Sequence, residues 1–157
     1  MGKVTGFLEF DRKVEAYAPV EDAGIQLPGF DYSKMKERYL RQEVRYSGRE
    51  PAGSIVVDTT GPFLYYVLGN QRAMRYGIAV GKEGFEWDGD TVVNSKQHWP
   101  TWTPTPAMIE RDPATYGPVA DGVDGGPTNP LGSRALYLYV GNRDTYLRIH
   151  GTPSPKS

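Results

Sequence analysis

The sequence predicts a mostly β domain with long loops and one or two short helices. Three observations carry this. The 157 residues include 11 tyrosines, 19 glycines and 13 prolines, an excess of strand-favouring aromatics and of turn formers. The apolar runs at residues 55–57, 63–68 and 135–140 are too short for helices and end at turn residues. Gly69-Asn70 and the turn at residues 141–144 each join two such runs at hairpin distance.

Taken in chain order, residues 1–50 are weakly patterned and read as an N-terminal extension. Residues 6–10 (GFLEF) form a short strand candidate and residues 24–29 a loop. Ser33 is placed to cap a short helix carried on by residues 36–46, although Lys36 stands where a capping box needs Glu or Gln. Residues 51–157 read as the domain proper. Ile55-Val56-Val57 is a β-branched strand ended by a turn cluster at 58–62, and residues 63–68 (FLYYVL), apolar on both faces, read as a central strand. Residues 72–80 are its hairpin partner, ended by Gly81 and Gly84.

Residues 91–93 form a further short strand. The proline density of residues 98–106 excludes a regular element there. Residues 108–112 suit one helical turn. Residues 113–133, with five glycines and four prolines, read as a loop of a length usually tied to function or disorder. Residues 135–140 (ALYLYV) and 145–149 (TYLRI) form a last hairpin that runs into His150-Gly151-Thr152. On that strand Tyr146, Arg148 and His150 fall on one face, Leu147 and Ile149 on the other.

Composition excludes several classes of function. With 38% hydrophobic and 24% charged residues the chain is ordinary for a globular protein, and its length buries a real core. A net charge of -1 leaves no electrostatic footprint for nucleic acid or anionic membranes. There is no cysteine, so neither a disulfide, a thiolate metal site nor a thiol nucleophile exists within these residues. His98 and His150 are the two histidines, too few for a zinc site, and Asp121 and Asp124 lack the ligand alternation of a calcium loop. Glu83 and Glu86 suit a solvated turn better than a carboxylate pair, and Gly77 to Gly81 lacks a nucleotide-binding pattern. No metal or cofactor is expected. No apolar run approaches the roughly 20 residues of a membrane span, and no signal-peptide pattern opens the chain, so the sequence as written reads as cytoplasmic.

His150 is the residue that carries chemistry. Histidine is the natural base near neutral pH, and this one ends a strand and enters a glycine turn, where a scaffold presents a group to solvent. Position alone fits a surface or hydrogen-bonded histidine better; the resemblance described next shifts that balance.

The ordered segments Ile55-Val56-Val57-Asp58, FLYYVL at 63–68, YGIAVG at 76–81, WPTWTP at 99–104, Asn129-Pro130-Leu131-Gly132 and Ile149-His150-Gly151-Thr152 together resemble the catalytic domain of the L,D-transpeptidases, of the YkuD type. The resemblance covers roughly residues 36–152. It implies a β-sandwich with a substrate groove, and acyl transfer between peptidoglycan stem peptides. A cysteine attacks a diaminopimelate carbonyl and expels D-alanine. An amine then takes the acyl group, giving a 3→3 cross-link or an attached lipoprotein.

Within it, His150 corresponds to the base that activates the cysteine, Gly151 and Thr152 to the turn beside it, and Trp99, Trp102 and Asn129 to loops shaping the groove. The family works in the periplasm or cell envelope on stem peptides. The family's cysteine motif follows this histidine, but the sequence ends seven residues after His150. The expectation is therefore an incomplete domain, lacking its last strand or strands and inactive as written. A non-catalytic stem-peptide binder and an unstable fragment are the alternatives. Serine catalysis from Ser154 or Ser157 is not expected. Residues 1–21 resemble instead the opening of the glutamate synthase small subunit, without its cluster-binding cysteines. That suggests a join between a foreign start and a transpeptidase body.

Overall fold

The structure, a computed structural model, describes residues 15–155. The strand candidate at residues 6–10 lies outside them. The described residues form nine strands in three antiparallel sheets, with only short helices between them, so the chain is mostly β as its sequence predicts. Two compact units divide it, Met1–Glu86 and Trp87–Ser157.

The first unit holds a hairpin of β1 (Val20–Asp22) and β2 (Ile25–Leu27), where a loop was expected over residues 24–29. Its two turn residues, Ala23 (φ 53°) and Gly24 (φ 79°), are both left-handed, and this twist matches that of the strands they join. The helix expected over residues 36–46 is absent. Only Glu37–Tyr39 turns as a 3-10 helix, and Gln42–Arg45 is β3, paired along its length with β6 (Arg72–Gly77). Helix propensity is a weak bias, and a free sheet edge with alternate side chains half-buried overrides it.

A four-stranded sheet runs in the order β3-β6-β5-β4, with β4 (Ile55–Asp58) and β5 (Phe63–Gly69), so residues 63–68 lie in an interior strand as predicted. Leu64, Val67 and Ala73 are buried on it, and Leu40 joins them in the unit's core. Asn70 (φ 51°) and Gln71 (φ 57°) make the tight turn into β6. Strand β6 ends at Gly77, short of the expected Val80. There the backbone presses on Tyr39: a Cβ on Gly77 would lie 2.7 Å from both the Tyr39 Cβ and carbonyl oxygen. Aromatic rings tie β5 to the segments around β3, with Phe63 stacked on Tyr39 of the 3-10 turn at 5.5 Å and Tyr65 beside Tyr46, which follows β3, at 5.5 Å.

The second unit is built on a three-stranded sheet in the order β7-β8-β9: β7 (Val92–His98), β8 (Arg134–Val140) and β9 (Arg143–His150). Strand β7 runs well past the expected residues 91–93. Its second half is polar, which suits an edge strand whose exposed positions accept polar side chains. The β8–β9 hairpin forms as predicted, with Gly141 (φ 57°) in its turn. A bulge between Tyr137 and Tyr139 of β8 interrupts the alternation on β9. Tyr146, at φ 62° and 71% exposed, sits in that bulge, so the face it was expected to share with Arg148 and His150 begins only after it.

Residues 99–133 connect β7 to β8. They contain helices Pro106–Arg111 and Pro113–Tyr116, each with proline in its first turn, and a 3-10 turn at Gly117–Val119. The Thr105 hydroxyl accepts from the Met108 amide at 3.3 Å, and Asp112 Oδ1 from the Thr115 amide at 3.1 Å. The helical turn expected at residues 108–112 is thus displaced toward the N-terminus by its Thr-Pro start, and the long loop contains short helical pieces.

Candidate functional site

His150 is the last residue of β9, opposite Ala135 of β8. The sheet holds its backbone while its side chain is exposed. The ring Nδ1 lies 2.6 Å from the Gly151 carbonyl oxygen. A carbonyl oxygen can only accept, so Nδ1 carries the hydrogen, and in the neutral ring Nε2 keeps its lone pair for a proton. This is the arrangement a general base requires.

The turn after His150 is held against the turn that precedes β8. The Gly151 amide donates to the Arg134 carbonyl at 3.0 Å. Gly132, at φ 64°, approaches so closely that a Cβ there would lie 2.8 Å from the Thr152 nitrogen and 2.9 Å from the Gly151 carbonyl carbon. Only glycine satisfies both the backbone angle and the space. Thr152 itself is exposed, and its hydroxyl accepts from the Ser154 amide at 3.0 Å.

Trp99 follows the end of β7. Its amide donates to the Ser133 carbonyl at 2.9 Å. Trp99 and Gly151 therefore flank the Ser133-Arg134 start of β8 from its two sides, about 10 Å apart by strand spacing. Trp99 is half-buried and held at φ 45°, an unusual backbone angle for a bulky residue. Its Nε1 is buried without a hydrogen-bond partner. Gly125 lies against the Trp99 carbonyl, in a space that a Cβ would overlap. Trp102, also half-buried, is tied to Val123 by two backbone hydrogen bonds of 2.9 and 2.7 Å, and its ring meets that of Tyr116 at 6.2 Å.

Asn129, expected to shape the groove, has no exposed surface at all. Its Nδ2 donates to the carbonyls of Pro100, Val123 and Asp124 at 3.0–3.1 Å, and its Oδ1 accepts from the Leu131 amide at 2.8 Å. It offers nothing to a ligand directly; it binds three stretches of loop to one another.

The structure thus joins His150, Gly151 and Thr152 to the 129–133 turn, and that turn to Trp99. Sequence reasoning passed over Pro100, which is buried, and the separate roles of Gly125 and Gly132. The glycine-rich composition of residues 113–133 was the available signal, but it does not say which glycine meets backbone. The cluster of charge on β9 is Asp144 with Arg148, whose hydrogen bonds hold the Asp144 carboxyl below its usual range against the opposing effect of burial. No helix among the described residues is long and apolar enough to cross a membrane.

Comparison with known proteins identifies the family of the sequence. The family model of the L,D-transpeptidase catalytic domain, YkuD, matches residues 52–157. A probable L,D-transpeptidase, YbiS, of Escherichia coli K12 is 35% identical over 92 residues, which is 56% of this chain and 28% of that protein. The probable L,D-transpeptidase ErfK/SrfK of the same strain is 35% identical over 102 residues, 62% of this chain and 31% of that one. A crystal structure described as a probable carnitine operon oxidoreductase from Brucella melitensis is 50% identical, with a TM-score of 0.68 over 81% of this chain and 78% of the other. The chain spans 28–31% of the length of these curated relatives. With the family model matching two thirds of its residues, the chain belongs to the L,D-transpeptidase catalytic domain family.

Proposed function

We propose that this domain serves acyl transfer between peptidoglycan stem peptides, with His150 as the base. The observation that carries the reading is the His150 imidazole, exposed at a strand end with Nδ1 engaged by the Gly151 carbonyl and Nε2 left to accept a proton. In the reaction, Nε2 takes the proton of a thiol. The thiolate attacks the carbonyl of the donor peptide, and the leaving D-alanine amine takes the proton. An acceptor amine then releases the acyl group from sulfur. Trp99, Trp102, Gly151 and Thr152 line the donor peptide in this reading, and Asn129 holds the loops that carry them. The place of action is the cell envelope, where stem peptides are found.

The 157 residues contain no cysteine, so by themselves they hold no nucleophile for this step. The thiol comes from outside them, and the chain alone is expected to be catalytically silent. That same lack favours a second reading, a module that binds stem peptides without turnover.

Intact mass of the protein isolated from its source separates the two. A species heavier than 17.5 kDa that a carbapenem acylates at a thiol supports acyl transfer. A species of 17.5 kDa that is retained on purified sacculi, with no change in their cross-links, supports the binding module. Failure of both acylation and retention overturns the reading of a peptidoglycan substrate.

A further inference from the structure

We propose that Asn129 is the positioning residue of this site, with one end of its carboxamide holding the Trp99 loop and the other bracing the turn beneath His150. The inference rests on the stem-peptide reading for its purpose, but its geometry stands apart from that reading.

Asn129 is the one polar side chain among the described residues that is fully buried. A buried amide is costly unless its donors and acceptor are all used. Here they are: two N–H groups serve three carbonyls, one of them shared, and the oxygen takes an amide. The partners belong to separate stretches of loop. Pro100 directly follows Trp99, Val123 is the residue bridged to Trp102, Asp124 precedes the glycine lying on the Trp99 carbonyl, and Leu131 precedes Gly132.

The Nδ2 side therefore acts on Trp99 and Trp102. A tryptophan at φ 45° persists only where its surroundings over-determine it. The Ser133 carbonyl fixes its amide, Gly125 closes over its carbonyl, and Asn129 fixes the next peptide. The Oδ1 side acts on the turn. By holding the Leu131 amide it sets Gly132 against Gly151 and Thr152, and that contact fixes the peptide whose carbonyl meets His150 Nδ1. A single side chain thereby sets the groove tryptophans and the base in one frame.

The two arms can be cut separately. Asn129→Asp keeps the oxygen toward Leu131 and replaces the donors with a group that repels three carbonyls. Gly132→Ala leaves Asn129 intact and breaks the contact with Gly151 and Thr152. Asn129→Ala removes both arms. The readouts are the indole NMR signals of Trp99 and Trp102, and the ring signals and pH titration of His150, all in the 157-residue chain.

Asn129→Asp is expected to shift the indole signals more than the His150 ring. Gly132→Ala should do the reverse, and Asn129→Ala should move both. Asp144→Asn, which weakens the same unit at the other end of β9, should move neither. Should Asn129→Asp fail to fold, the comparison of Gly132→Ala with Asp144→Asn still decides the His150 arm. Unmoved His150 signals in Gly132→Ala, or equal movement in Asp144→Asn, overturn the proposal. A tetrapeptide stem added to the wild-type chain tests the functional reading by itself. If no saturable binding occurs while the split pattern holds, the positioning role stands and the stem-peptide reading falls. Binding without the split pattern has the opposite meaning.

Discussion

Asp144 takes both ends of the Arg148 guanidinium, with Oδ1 2.7 Å from Nη1 and Oδ2 2.8 Å from Nη2. The pair bridges the β9 bulge: Asp144 Oδ1 also accepts the Tyr146 amide at 2.8 Å, and the Arg148 head lies 3.8 Å over the Tyr137 ring. Two parallel charge-assisted bonds fix one geometry, which single surface ion pairs do not.

Asp144→Asn is expected to cost about 1 kcal/mol of stability at neutral pH. The cost has a defined pH dependence. Arg148 holds the folded-state carboxyl of Asp144 below its ordinary value. Its contribution is therefore fully present above the unfolded value near pH 4 and fades as pH falls through the lower folded value. Thermal denaturation of wild type and variant across that range should show two midpoints that converge in acid. A constant separation would mean that the pair does not supply the difference.

Gly125 and Gly126 are neighbours in the same loop with opposite tolerances. A Cβ on Gly125 meets the Trp99 carbonyl, whereas one on Gly126 meets nothing within 4 Å. Gly125→Ala should cost about 2–3 kcal/mol, since backbone must move to admit it. Gly126→Ala should stay within about 0.5 kcal/mol of wild type. Equal denaturant midpoints for the two variants would show that the loop does not hold Trp99 as described.

The strands at residues 63–68 and 135–140 were legible because short apolar runs between turn residues have few other uses. Strand β3 was not. Gln42-Glu43-Val44-Arg45 has helix-tolerant residues, and only the ladder offered by β6 makes it extended. The bulge at Tyr146 was hidden for a similar reason: nothing local distinguishes a Thr-Tyr-Leu run that alternates from one held out of register by Asp144 and Thr145. At the site, the place of His150 at a strand end could be read directly from Thr145 to Ile149. The burial of Asn129 could not, because an asparagine in a proline- and glycine-rich loop reads as surface until three carbonyls are found around it.

Tyr46 donates its hydroxyl to Glu50 Oε2 at 2.6 Å. Burial, and then this hydrogen bond, push the Tyr46 phenol up to about 12. A phenol raised in the folded state contributes stability below its unfolded value near pH 10, and that contribution is lost as pH rises through the folded value. Glu50→Gln should lower the Tyr46 midpoint in an ultraviolet absorbance titration without restoring the free value, since burial remains. A midpoint unchanged by the substitution would assign the whole shift to burial.

His150 is exposed, so its replacement should be nearly silent in folding and loud in chemistry. In a polypeptide joining these residues to a thiol-bearing continuation, His150→Gln is expected to slow carbapenem acylation about 100-fold or more, the usual weight of a positioned base. Thermal stability should move by less than about 0.5 kcal/mol. Gln presents a carboxamide of similar reach that cannot take a proton, so the loss isolates basicity from shape. Raising the pH should recover part of the rate in the variant, because the thiol then ionises unaided. If His150→Gln acylates at the wild-type rate near neutral pH, another group activates the thiol, and the Nδ1 contact with Gly151 serves the turn alone.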